Sequence, residues 1–125
     1  MNLAKLAILT LIFLATAGNT QAESSDREKA VQLAKCTADC RALRALDPNP
    51  DWANLASASI TDFSIYAFRL YGGADRDILK YSQKREGMLV DLYEKEGRRA
   101  LIENARAAFQ SCADIYWQLI KQSQR

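Results

Sequence analysis

Three cysteines in a chain without histidine set the terms on which this protein can fold. Cys36 and Cys40 stand one helical turn apart on a stripe that also includes Leu33 and Leu43, while Cys112 lies far downstream. Residues recurring at three- and four-residue spacing share one face of a helix, so both upstream thiols meet whatever packs on that stripe. A bond from the stripe to Cys112 ties the first helix to the last. A bond between Cys36 and Cys40 is disfavoured, because their side chains leave one helix in parallel directions and the required torsion is strained.

The compartment follows from the first 22 residues. Lys5 is their only charge, Leu6 to Ala15 form a short apolar run, and Thr20-Gln21-Ala22 precede an abrupt change to Glu23-Ser24-Ser25-Asp26. That order is the pattern of a secretory signal. The apolar run is shorter than the ~20 residues a membrane span needs. Cleavage after Ala22 is therefore expected, with no stable membrane anchor afterwards. Residues 23–125 then form one domain, of the size that folds alone but is often helped by a crosslink. No cysteine follows the apolar run closely enough for lipid attachment. Export permits a disulfide and implies a periplasmic or secreted protein.

Four helices are legible in what remains. Ser25 and Glu28 have the spacing of a capping box, which predicts a helix from Asp26 to Leu46. Its other side carries Val31, Ala34, Ala38, Ala42 and Ala45, small enough for a second helix to approach closely. Asp47-Pro48-Asn49-Pro50 ends this helix and starts the next, with Asn49 as cap and Pro50 in the first turn. The second helix carries Trp52, Ala56, Ser59, Phe63, Tyr66, Ala67 and Leu70 on its main stripe and ends at Gly72-Gly73. Asp75 caps the third, which reaches Glu96 and places Arg85 in the centre of a stripe of Ile78, Tyr81, Met88, Leu89 and Leu92. A turn at Gly97 leads into the fourth, from Arg98 to Gln122, with Leu101, Ala105, Ala108, Cys112, Ile115 and Leu119 on one face. Continuity of the third and fourth helices through Gly97 is the alternative. The expected fold is all-α: a small antiparallel four-helix bundle stapled by one disulfide.

In such a bundle the first helix lies beside the last. Counted from their shared end, Cys36 and Cys112 are each about ten residues along and sit level. Cys36–Cys112 is the expected bridge, Cys40–Cys112 the alternative one turn away. Either leaves one thiol, whose ordinary fate is burial as a small apolar residue, with an intermolecular disulfide or exchange with the bridge as the alternatives. Arg85 also needs a partner, since an unpaired buried charge is costly. In a hairpin folded about Gly72-Gly73, Asp62 lies about as far before the turn as Arg85 lies after it, so the two can pair; an arginine that snorkels outward and one that serves a ligand are the alternatives.

Composition excludes much chemistry. Without histidine there are no histidine triads, no histidine-ligated zinc and no Glu-x-x-His carboxylate metal sites. Cys-x-x-Cys, phosphate-cradling glycine loops and dinucleotide fingerprints are missing too. Helical acids have bases at helical spacing, as Asp91 with Lys95 and Glu94 with Arg98, which reads as surface pairing rather than catalysis. Neither catalytic residue, metal nor cofactor is expected, and the chain does not read as an enzyme. A net charge of +2, falling to about +1 without Lys5, supplies no field for nucleic acid or anionic membrane.

What remains is recognition of another protein, with a second copy of the chain left open as a partner. Ile65 and Phe68 fall on the polar side of the second helix, Tyr71 at its end, and Trp117 outside the apolar arc of the fourth. Large apolar residues off the core stripe are either a second buried contact or a binding patch. The single Cys-x-x-x-Cys is similar to half of a twin Cys-x-x-x-Cys helical hairpin, with the second half missing. In size, export and helix content the chain is similar to the small disulfide-containing helical immunity proteins of contact-dependent competition, though it shares no motif with them. Inhibitor, immunity protein and envelope or secretion accessory factor are the expected roles. A thiol-exchanging chaperone or redox sensor and a carrier of a small apolar ligand are the alternatives.

Overall fold

The computed structural model describes the backbone of residues 3–72 and 75–124, and the side chains of residues 25–72 and 76–124. It contains α1 (Leu3–Leu46), α2 (Pro50–Tyr71), α3 (Asp75–Glu96) and α4 (Arg98–Ser123). Together they form an all-α four-helix bundle. The proposed signal segment and the Asp75 cap lie outside the residues whose side chains are described.

The α1 backbone is helical through Ser25, so Ser25 and Glu28 do not begin a helix in the full-length chain. The other boundaries follow local chemistry. The Asn49 side chain accepts a hydrogen bond from the Asp51 N–H at 2.9 Å, and Pro50 occupies the first turn, where its missing N–H costs nothing. Gly72 closes α2 at φ 68°, and Gly97, at φ 94°, is the single residue between α3 and α4. Both angles lie in the left-handed region where glycine has no Cβ to clash. Helices α3 and α4 are therefore separate, with a turn at Gly97.

Helix α1 is the axis of the bundle. It packs against each of the other three, whereas α2 and α3 touch each other little. Buried residues occur on all its sides, from Leu33, Cys36 and Cys40 to Ala34, Ala38 and Asp39. Ala34 and Ala38 of the alanine face are buried while Ala45 is exposed, so the face packs over part of its length, and α2 lies closely against α1 with Ala56 and Ala67 fully buried. Small side chains on both helices allow this approach. Aromatic rings fill the space between α2 and α4. Phe63 meets Phe109 and Tyr116 at 5.8 Å between centroids, and Trp52 lies edge-on to Phe109 at 6.1 Å.

Asp47 locks the α1–α2 corner to α4. Its carboxylate accepts hydrogen bonds from the Asn49 N–H at 2.9 Å and from the Arg106 guanidinium at 2.6 and 2.8 Å. Arg106 in turn lies 5.0 Å over the Trp52 ring. Hydrogen bonding to Arg106 holds the Asp47 carboxyl below the usual carboxylate range. A folded pKa below the unfolded one means stabilisation that is present above about pH 4 and lost as pH falls through the folded value. Asp47→Asn is expected to flatten the acid limb of stability against pH. Urea midpoints measured between pH 7 and 3 check this, and an acid limb identical to wild type would contradict it.

Candidate functional site

The disulfide joins Cys36 of α1 to Cys112 of α4, across 76 residues of chain and a Cα–Cα distance of 6.5 Å. The alternative Cys40–Cys112 bridge is not formed, because Cys36 is the residue level with Cys112 across the two helices. Cys40 is free and fully buried. Burial, aided by the charge of Asp39, pushes its thiol up to about 12, which leaves almost no thiolate to act as nucleophile at neutral pH.

Above the disulfide is a cleft of about 550 Å³ between α1, α3 and α4, with Tyr81, Met88 and Ile115 among its apolar walls. Arg85 reaches across it. Its guanidinium donates to both carboxylate oxygens of Asp39, at 2.8 to 3.3 Å, and to Asn104 Oδ1. The Asp39 side chain is 1% exposed and that of Arg85 15%. Arg85 therefore does have a partner, but it is Asp39 and not Asp62. The expected Asp62 pairing assumed a tight α2–α3 hairpin, whereas α1 occupies the space between those helices and offers its own acid first. Burial outweighs Arg85 and leaves the Asp39 carboxyl above its ordinary range.

A second polar contact joins the same two helices. Thr37 and Ser82 hydroxyls meet at 2.9 Å, and Arg41 donates to Ser82 at 2.8 Å. Neither Asp39 nor this trio stood out in the sequence. The available signal was that Asp39 interrupts an otherwise small and apolar run, Thr37-Ala38-Asp39-Cys40, in a helix with core residues on more than one side.

The four residues expected to meet a partner are placed on different surfaces. Ile65 and Phe68 are exposed on the outer side of α2, at 40% and 38%, and Phe68 borders a small recess with Ile78, Leu79 and Ser82. Tyr71 is half-buried, edge-on to Tyr81 at 6.2 Å and covered by Arg27, whose guanidinium lies 4.8 Å from its ring. Trp117 stands apart from these, 60% exposed on α4. It forms one rim of a groove of about 220 Å³ between α2 and α4, and Leu55 lines the same groove with 55% of its surface exposed. The buried rings of Phe63 and Phe109 lie at the base, and Asp62 supplies a negative charge. Asp62, with no role in holding Arg85, thus becomes part of this groove. Leu55 was missed because its position on α2 differs from that of the Ile65–Phe68 face.

Acids at helical spacing also behave differently from expectation. Asp91–Lys95 and Glu94–Arg98 are not among the ion pairs of the described residues, and Arg98 instead donates to the Leu46 carbonyl at the end of α1. Among the described residues, no group of cysteines and carboxylates is gathered as a metal-ligand set. No helix among them is long and apolar enough to cross a membrane. Comparison with family models, with curated proteins and with solved structures finds no match to this chain.

Proposed function

We propose that this is an exported, periplasmic or secreted, helical protein that binds another protein through the α2–α4 groove. The observation that carries this reading is Trp117, 60% exposed beside a recess floored by buried aromatic rings. A tryptophan held by a neighbouring ring, here Tyr116 at 6.1 Å, is a preorganised apolar anchor of the kind that dominates binding energy at interfaces. The partner's chemistry follows from the rims: an apolar side chain to enter between Leu55 and Trp117, with a cationic group nearby for Asp62. Inhibition, immunity against a secreted toxin, or service to an envelope or secretion machine are the forms such binding would take. Support for export comes from the disulfide, which persists in oxidising compartments, together with the signal-like first 22 residues.

Thiol exchange receives less support than binding. The one free thiol is enclosed in the core and strongly disfavoured as a thiolate.

Photocrosslinking in cells of the source organism tests the surface. A photoreactive phenylalanine analogue placed at position 117 or 55 is expected to give one discrete adduct, absent when the analogue replaces the exposed Arg44 of α1, which lies outside the groove. Trp117→Ser is expected to reduce adduct formation from position 55 by about 10-fold or more, the scale of an anchor residue's loss. Equal labelling at all three positions would remove the groove from consideration.

A further inference from the structure

Helix α3 has a feature that packing within the protomer does not explain. Gly87 lies in its interior, on the side opposite the buried Ile78 and Leu89. A glycine there weakens the helix relative to alanine. Nothing lies within 4 Å of where its Cβ would be, so no neighbour in the same chain requires the small residue. Close approach by a second backbone would require it.

The residues around Gly87 describe that second backbone. Lys80, Gln83, Gly87, Val90 and Glu94 recur at spacings of three and four and form one exposed seam. Leu79, Val90 and Tyr93, exposed by 50%, 50% and 46%, line or flank it. On and beside the seam charge divides at the glycine, with Lys80 and Lys84 before it and Asp91 and Glu94 after it, while Asp77, Glu86 and Lys95 lie toward the sides of the helix. Among the described residues, Lys84, Asp91 and Glu94 have no ion-pair partner in their own chain, and Lys80 has only a 3.8 Å contact to the exposed Asp77.

We propose that α3 is a self-association surface, on which a second copy of this chain packs antiparallel about Gly87. Turning the copy end for end sets Lys80 level with Glu94 of the second chain, and Lys84 within one residue of level with its Asp91. Twofold symmetry repeats both pairs. The basic half of each helix meets the acidic half of the other, and Val90 with its apolar neighbours is covered at the contact. A parallel arrangement would oppose like charges along the whole seam. This surface is separate from the α2–α4 groove, so its test is independent of the proposed partner binding.

The decisive experiment is a charge exchange read by sedimentation velocity on the disulfide-bonded mature protein, over ~10–300 µM, where a small interface associates. Wild type is expected to show a concentration-dependent dimer that weakens with added salt. Lys80→Glu with Lys84→Glu makes the seam all acidic, and Asp91→Lys with Glu94→Lys makes it all basic. Each double variant alone is expected to self-associate at least ~10-fold more weakly. An equimolar mixture of the two is expected to recover a dimer of one chain of each kind. Gly87→Arg, whose Cβ meets no atom of its own chain and whose position is exposed, is expected to remain folded by circular dichroism and to be monomeric. A wild type that stays monomeric throughout, double variants that dimerise like wild type, or a mixture that fails to recover association would each overturn the proposal.

Discussion

Asp39→Ala is expected to lower folding stability by about 3–5 kcal/mol, the cost of leaving a largely buried arginine without its counter-charge. The Asp39 side chain is 1% exposed and receives three hydrogen bonds from Arg85. Its removal strands a guanidinium that is only 15% exposed, with Asn104 as its remaining partner. Removing both charges is a different matter. Asp39→Leu combined with Arg85→Met is expected to recover most of the loss, because neither partner then remains unpaired. Equilibrium urea unfolding of the two single variants and the double variant gives the coupling directly. Losses that simply add would show that the pair does not act as a unit.

The pH dependence of this pair is opposite in sign to that of Asp47. Burial raises the folded pKa of Asp39 above its unfolded value. Its contribution is fully present below about pH 4 and declines as pH rises through the folded value. The ion pair therefore positions α3 on α1 more than it stabilises the fold at neutral pH. Arg85 can be satisfied only where Asp39 and Asn104 meet, and that requirement specifies how α3 sits against α1 and α4.

Loss of the disulfide is the second large effect. Its sulfurs join residues 76 apart, and the chain-entropy estimate for a loop of that size is about 4.5 kcal/mol. Cys36→Ala with Cys112→Ala is expected to cost about 2–5 kcal/mol, a large part of the net stability of a small domain. Urea unfolding of this variant beside the oxidised wild type measures it. A cost below about 1 kcal/mol would show that the α1–α4 contact is secured by its apolar packing alone. The buried Cys40 is then the one cysteine left, so no intramolecular bridge can replace the lost one.

Local chemistry determined the elements of this protein. Asn49-Pro50 set the start of α2, Gly72 its end, and Gly97 the break between α3 and α4, because capping and left-handed backbone depend on residues within one turn. The level of Cys36 with Cys112 could also be counted along the chain, since short connections and a constant helical rise leave little freedom in the register of α1 and α4. Tertiary structure decided the remainder. That α1 buries residues around most of its circumference depends on the three helices docked on it, and the alanine face of α1 marks a second contact without saying which helices make it. The same enclosure gave Arg85 to Asp39 and left Asp62 on a surface groove. It also separated Trp117 from Phe68. Charge partners and surface patches are made by residues from different helices, so they come into being only when those helices are docked. A stripe records that a residue faces a neighbour, whereas the neighbour's identity is settled by packing.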